Sequence, residues 1–212
     1  MAEAASNTRR PRTDAQRNRT HILEVAEQFF SSEGVAGSMD AIAKRAGVGP
    51  GTLYRHFPTR DALLAALLQA RYDVLLARQE AIQQEESDPT EALARWLDAL
   101  VEFVTAFDGL PEPLRAALSE EASPLALTCQ GFVTTTEHFL SAAQRDGGAQ
   151  PWVRGRDLFL SALAAGWASG AALADASSAA ALRAMLRSGW ATSAGREAPT
   201  RRKATRGKSA PE

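Results

Sequence analysis

Residues 38–58 read SMDAIAKRAGVGPGTLYRHFP, and the small, polar and apolar positions within them constrain the whole chain. Ser38 offers a hydroxyl to cap a short helix whose apolar residues are Met39, Ile42, Ala43 and Ala46. Ala43 is small where a second helix must cross closely. Four residues on, Gly47 permits the positive φ of a tight turn. Pro50 opens the next helix at the first helical position, where its missing N–H costs nothing. Leu53 then anchors that helix on the first, with Ile42 and Val48 completing a small core. The spacing predicts a helix-turn-helix over 39–58, its second helix at 50–56 free to lie in a DNA major groove.

Working outward, residues 14–33 carry Ile22, Ala26, Phe29 and Phe30 at the spacing of one buried helical face, stopped by Gly34. On the other side Pro58 ends the motif, and Thr59 caps a long helix to about residue 86. Further helices are predicted at 89–107, 111–119, 124–145, 151–174 and 177–194. No segment alternates with period two, so the fold is all-α with about nine helices. The organisation expected is a disordered basic arm at 1–13, a DNA-binding unit at 14–60, a ligand-binding and dimerisation unit at 61–195, and a disordered basic tail at 196–212.

The 212 residues are 45% hydrophobic and 23% charged, with a formal charge of −1. The charge is segregated. Residues 1–60 carry nine basic and six acidic groups, 61–195 nine and seventeen, and 196–212 six and two. A basic head on an acidic body points to a polyanionic partner for the head, and the tail either adds to that affinity or is idle. The lone Cys129 excludes an internal disulfide framework, and an opening without an apolar run excludes a secretory signal, so a cytoplasmic protein is expected. His21, His56 and His138 are too scattered for a metal site. Cys129 and His138, nine residues apart on one predicted helix, lie about 13 Å apart, too far for a nucleophile pair. Residues 158–174 are uncharged but diluted by Ala, Gly and Ser, which reads as a buried helix and not a membrane span. No cofactor, metal or catalytic constellation is expected.

Phe29, Phe30, Gly34, the run SMDAIAKRAGV at 38–48 and the run TLYRHFPTRDALL at 52–64 together resemble the DNA-binding domain of TetR-family transcriptional regulators. The resemblance covers roughly residues 14–64; beyond them only the helical plan and the length agree. It implies that Pro50, Gly51, Thr52 and Arg55 face base edges, that Tyr54 and His56 hold phosphates, and that Lys44, Thr59 and Arg60 add backbone contacts. Arg55 suits either guanine or a phosphate, and Tyr54 either a phosphate or the core. Gly49 and Gly51 offer no side chain, which leaves room for readout of DNA shape.

The resemblance also implies a homodimer on a near-palindromic double-stranded operator, most often as a repressor, and a small-molecule effector of unknown identity. Trp96, Phe103, Phe107, Phe132, Phe139 and Trp167 are the candidate lining of an effector cavity, with His138 as a polar anchor. Gly166, Gly170, Leu182, Met185, Leu186, Gly189 and Trp190 are the candidate dimer surface, built from the last two helices. Two other readings stay open: a helical enzyme or carrier whose head is vestigial, and a protein-interaction module.

Overall fold

The computed structural model describes residues 9–170, 174, 175 and 177–193. They form nine α-helices: α1 (Arg9–Glu33), α2 (Met39–Arg45), α3 (Pro50–His56), α4 (Arg60–Glu85), α5 (Pro89–Val104), α6 (Pro111–Ala117), α7 (Ala126–Arg145), α8 (Gly155–Ser169) and α9 (Ser178–Trp190). The all-α expectation holds. The one bridge of β type among the described residues joins Ala149 to Ala191.

Helices α1, α2 and α3 enclose one end of the core, where Ile22, Ala26, Phe30, Ile42, Leu53 and Phe57 are buried. Helix α4 runs from this head along the body, packing on α1 and on α5. Helix α5 is the axis of the body, packed against α4, α7 and α8. Its buried residues lie on almost every side, as a helix apolar around most of its circumference requires. Asp88 starts it by accepting the N–H groups of Thr90 and Glu91 at 2.8 and 3.3 Å. One polar pair crosses the body core: Trp96 Nε1–H donates to Thr136 Oγ1 at 2.9 Å, whose hydroxyl donates to the Phe132 carbonyl at 2.7 Å. Both buried polar groups are thereby satisfied.

Several boundaries differ from expectation. Helix α1 begins at Arg9, inside the arm expected to lack structure. Pro11 does not prevent this, because N–H groups of a first turn have no helical partner anyway. Residues 1–8 of the arm and the basic tail at 196–212 lie outside the described residues. Helix α8 begins at Gly155, not at Pro151, because side chains hold the preceding loop in a non-helical form. The Gln144 amide donates to the carbonyls of Gln150 and Val153 at 2.9 and 3.0 Å, and Gly155 N–H donates to Glu137 Oε2 at 2.6 Å. Helix α8 closes at Ser169. Helix α9 ends at Trp190, because the chain beyond turns to pair with residues 148–150: Gln150 N–H donates to Trp190 O at 2.8 Å and Thr192 N–H to Gly148 O at 3.0 Å.

Candidate nucleic-acid interface

Ser38 accepts the Ala41 N–H at 3.4 Å and so starts α2, which buries Met39, Ile42 and Ala43. Ala46 N–H closes the helix on Ile42 O at 2.9 Å. Gly47 follows at φ +65°, a left-handed conformation that costs a side-chain-bearing residue about 1–2 kcal/mol. Val48 N–H then returns to Ala43 O at 3.0 Å, which locks the turn. Gly49 caps α3 through its carbonyl, with Pro50 at the first position as the sequence implies. Leu53 is the one residue of α3 driven fully inward.

Burying Leu53 turns the rest of the helix outward. Pro50, Gly51, Tyr54 and Arg55 are exposed, while Thr52 and His56 are half-buried. Tyr54 is 42% exposed, which places it on the surface and not in the core; its hydroxyl donates to Asp40 Oδ1 at 3.5 Å. Lys44 and Arg45 are exposed beside it at the end of α2. The cations Arg45 and Arg19 escaped the sequence reading. The Arg45 guanidinium lies over the Phe29 ring at 5.6 Å and Arg19 over Phe57 at 5.1 Å. Stacking holds each long side chain against the head. Their signal in the sequence was only a charge next to an aromatic of the same small core.

Two of the predicted phosphate contacts also have partners within the chain. Arg60 donates to the carbonyls of Val35 and, at 2.6 Å, Gly37. Its guanidinium therefore pins the α1–α2 loop from the start of α4, because those carbonyls end a turn and need donors. Thr59 accepts the Ala62 N–H at 3.0 Å, so its hydroxyl oxygen serves first as the cap of α4.

In the body the predicted aromatics divide. Phe103, Phe132 and Phe159 form one buried cluster, with ring centroids 4.9 and 5.9 Å apart across Phe132. Trp96 stacks on Phe139 at 5.6 Å, and Phe107 meets Phe30 of α1 at 6.2 Å edge-on. These side chains fill the core with one another. His138 faces solvent on α7, so it is no anchor for an enclosed cavity. Trp167 is 67% exposed and stands at the rim of a surface groove.

The predicted dimer residues divide too. Met185, Gly189 and Gly170 are exposed, and Leu182 and Leu186 are half-buried. Trp190 is only 2% exposed within one chain; it packs beside Leu97 and Val101 of α5, so its bulk belongs to the subunit's own core. Gly166 is buried as well, since a Cβ there would sit 3.0 Å from Val104 Cγ2. It serves the close crossing of α8 on α5 within the subunit.

In two groups of the body burial is the main cause of a shifted titration. Burial pushes the Cys129 thiol up to about 12, which makes it an inert core residue. Burial also raises the Asp98 carboxyl above its ordinary range, opposed by the nearby Arg183 guanidinium. Among the described residues no helix is long and apolar enough to cross a membrane.

A short helix with one inward anchor and an exposed polar face, set against a capped partner across a tight glycine turn, defines a helix-turn-helix protein. Two family models match the chain. Residues 22–67 match the bacterial regulatory proteins of the tetR family, and 88–191 match the C-terminal domain of SbtR-like transcriptional regulators. The chain belongs to the TetR family of bacterial regulatory proteins.

Among curated relatives, it is 38% identical over 93 residues to the HTH-type transcriptional regulator SAUSA300_2515 of Staphylococcus aureus (strain USA300). That match takes in 43% of this chain and 50% of the other, so the chain spans about half the length of the curated relatives it matches. The crystal structure of the TetR transcriptional regulator SCO0520 from Streptomyces coelicolor is similar at 29% identity and a TM-score of 0.54, over 82% of this chain and 99% of that one. The structure of AibR in complex with isovaleryl coenzyme A and operator DNA shares the fold at 20% identity and a TM-score of 0.54, over 79% and 97% of the two chains.

Proposed function

We propose that this chain is a transcriptional regulator that binds operator DNA as a homodimer and releases it when a small molecule binds the body. The observation that carries this reading is α3 itself: Leu53 is buried, and Pro50, Gly51, Thr52, Tyr54, Arg55 and His56 form its outer side. Arg55 is the group able to fork onto guanine, Tyr54 and His56 are donors of phosphate-contact type, and Lys44 and Arg45 extend the cationic rim. Two copies would place two such helices in successive major grooves of a near-palindromic site. The unit at 14–60 is the DNA-binding part, the unit at 61–195 binds effector and partner subunit, and the protein works in the cytoplasm as a repressor and not as an enzyme.

For the dimer, the exposed residues Leu160 and Ala164 of α8 and Met185 and Gly189 of α9, flanked by Leu182, replace the buried Trp190 and Gly166 as the pairing surface. Met185→Glu should halve the mass seen by light scattering without lowering the melting temperature. An unchanged dimer mass would move the interface elsewhere.

The regulator reading is tested by selecting fragmented genomic DNA on the purified protein at near-physiological salt and sequencing what is retained. An enriched inverted repeat supports it. Retention that is blind to sequence and lost with modest salt would leave only nonspecific electrostatics and reject a specific operator.

A further inference from the structure

One carboxylate stands among the cations of the head. Arg19 of α1, Lys44 and Arg45 of α2 and Arg55 of α3 have no ion-pair partner among the described residues. In the body, by contrast, Arg78, Arg183 and Arg187 each meet an acid. Asp40, in the first turn of α2, departs from the head's pattern. It is exposed and has no ion-pair partner among the described residues, although Lys44 follows one turn later, in the order that favours pairing. Its hydrogen-bond partner is the Tyr54 hydroxyl of α3 at 3.5 Å, long for an O–H···O bond and therefore weakly held. The carboxylate thus borders the outer side of α3, the side that carries Tyr54 and Arg55.

On that surface a carboxylate opposes DNA. Phosphates repel it, and so do the acceptors of the major groove: guanine O6 and N7, adenine N7 and thymine O4. The donors there are the amino groups at cytosine N4 and adenine N6. Adenine sets its amino group beside its own N7 acceptor, whereas the cytosine edge offers its donor with no acceptor on the same base. Cytosine is therefore the base that suits a carboxylate.

We propose that Asp40 is a specificity-determining residue, which weakens binding to arbitrary DNA and is relieved at an operator that sets a cytosine against it. The inference rests on the regulator reading above. On the operator the Tyr54 hydroxyl leaves Asp40 for a phosphate, and the freed carboxylate accepts from the cytosine amino group. On a sequence without that cytosine, the carboxylate faces phosphates and base acceptors with no donor in return. Discrimination then comes from the unfavourable contact as much as from the favourable one. An acid in a first turn also steadies its helix through the dipole, but that role changes stability and not the choice of DNA.

The test uses full-length wild type, Asp40→Asn and Asp40→Glu, each selecting duplexes from a random library at fixed salt. Each protein is then titrated by fluorescence anisotropy with the wild-type operator and with a scrambled duplex, and its melting temperature is recorded. Asp40→Asn is expected to bind the scrambled duplex about threefold tighter. Its operator-over-scrambled ratio should fall about tenfold, and one cytosine in each half-site should lose its preference. Asp40→Glu keeps the charge and should retain more of the ratio than Asp40→Asn. A ratio unchanged in Asp40→Asn overturns the proposal, and if the melting temperature alone falls, Asp40 serves only the helix dipole. A wild type that selects no motif rejects the regulator reading. A wild type that selects one, with Asp40→Asn selecting the same motif, overturns the role of Asp40 and leaves the regulator standing.

Discussion

The head and the body of this chain use their aromatic residues in opposite ways. In the head, Phe29, Phe30 and Phe57 are few, and guanidiniums from Arg45 and Arg19 lie over two of them. A small core there carries a polar, positively charged surface on its own back. In the body, Phe103 and Phe159 meet Phe132, and Trp96 stacks on Phe139, all of them buried. The difference teaches that a short segment with a single inward anchor must turn its remaining side chains outward, whereas a thick bundle consumes its aromatics as filling. The exposed aromatics of the body, Trp152 and Trp167, therefore stand at its surface and not at its centre.

The comparison breaks first at Leu53. Because α3 has that one buried anchor, Leu53→Ala should cost about 3 kcal/mol in urea unfolding and abolish operator binding together with it. A loss below about 1 kcal/mol would show that α3 is held by something other than its anchor. Arg55→Ala should leave stability unchanged and weaken operator binding by about 2 kcal/mol, measured by fluorescence anisotropy at fixed salt. Gly47→Ala sharpens the role of the turn: the positive φ predicts about 1.5 kcal/mol of destabilisation, although the added methyl meets no atom within 4 Å.

In the body the expected effects are smaller. Arg187 bonds Glu91 at 2.6 Å, but both side chains are somewhat over a third exposed, so Arg187→Ala should cost at most about 0.5 kcal/mol. Asp98 gives a pH signature. Its carboxyl is raised in the folded chain, so the proton is held more readily folded than unfolded. That contribution favours folding at acid pH and is lost as pH rises through the folded-state value. Asp98→Asn should accordingly be slightly more stable than wild type at neutral pH, and the gap should close as pH falls toward the ordinary carboxylate range. A gap that widens on acidification would mean that the ion pair with Arg183 outweighs burial.

Most of the head was legible in the sequence because its signals are local. Ser38, Gly47, Gly49 and Pro50 each act through backbone within a few residues, and α2 and α3 lie where those residues put them. The internal role of Arg60 was not legible, for the complementary reason. Its partners Val35 and Gly37 stand more than twenty residues away, and nothing near position 60 announces them. Trp190 looked like a surface residue from its stripe, yet the stripe cannot say whether an apolar face meets its own α5 or another chain. The start of α8 was missed because Gln144 and Glu137, on a different helix, decide it.

The backbone pairing of residues 148–150 with the chain after α9 has one more consequence. The mooring is made by main-chain N–H and C=O groups, joined by the Thr192 hydroxyl on the Gly147 carbonyl at 2.8 Å. Every residue but proline brings those groups. The outer face of α9 can therefore exchange its side chains over generations without slipping its berth, and related chains in one cell can drift apart in whom they pair with while each keeps its fold.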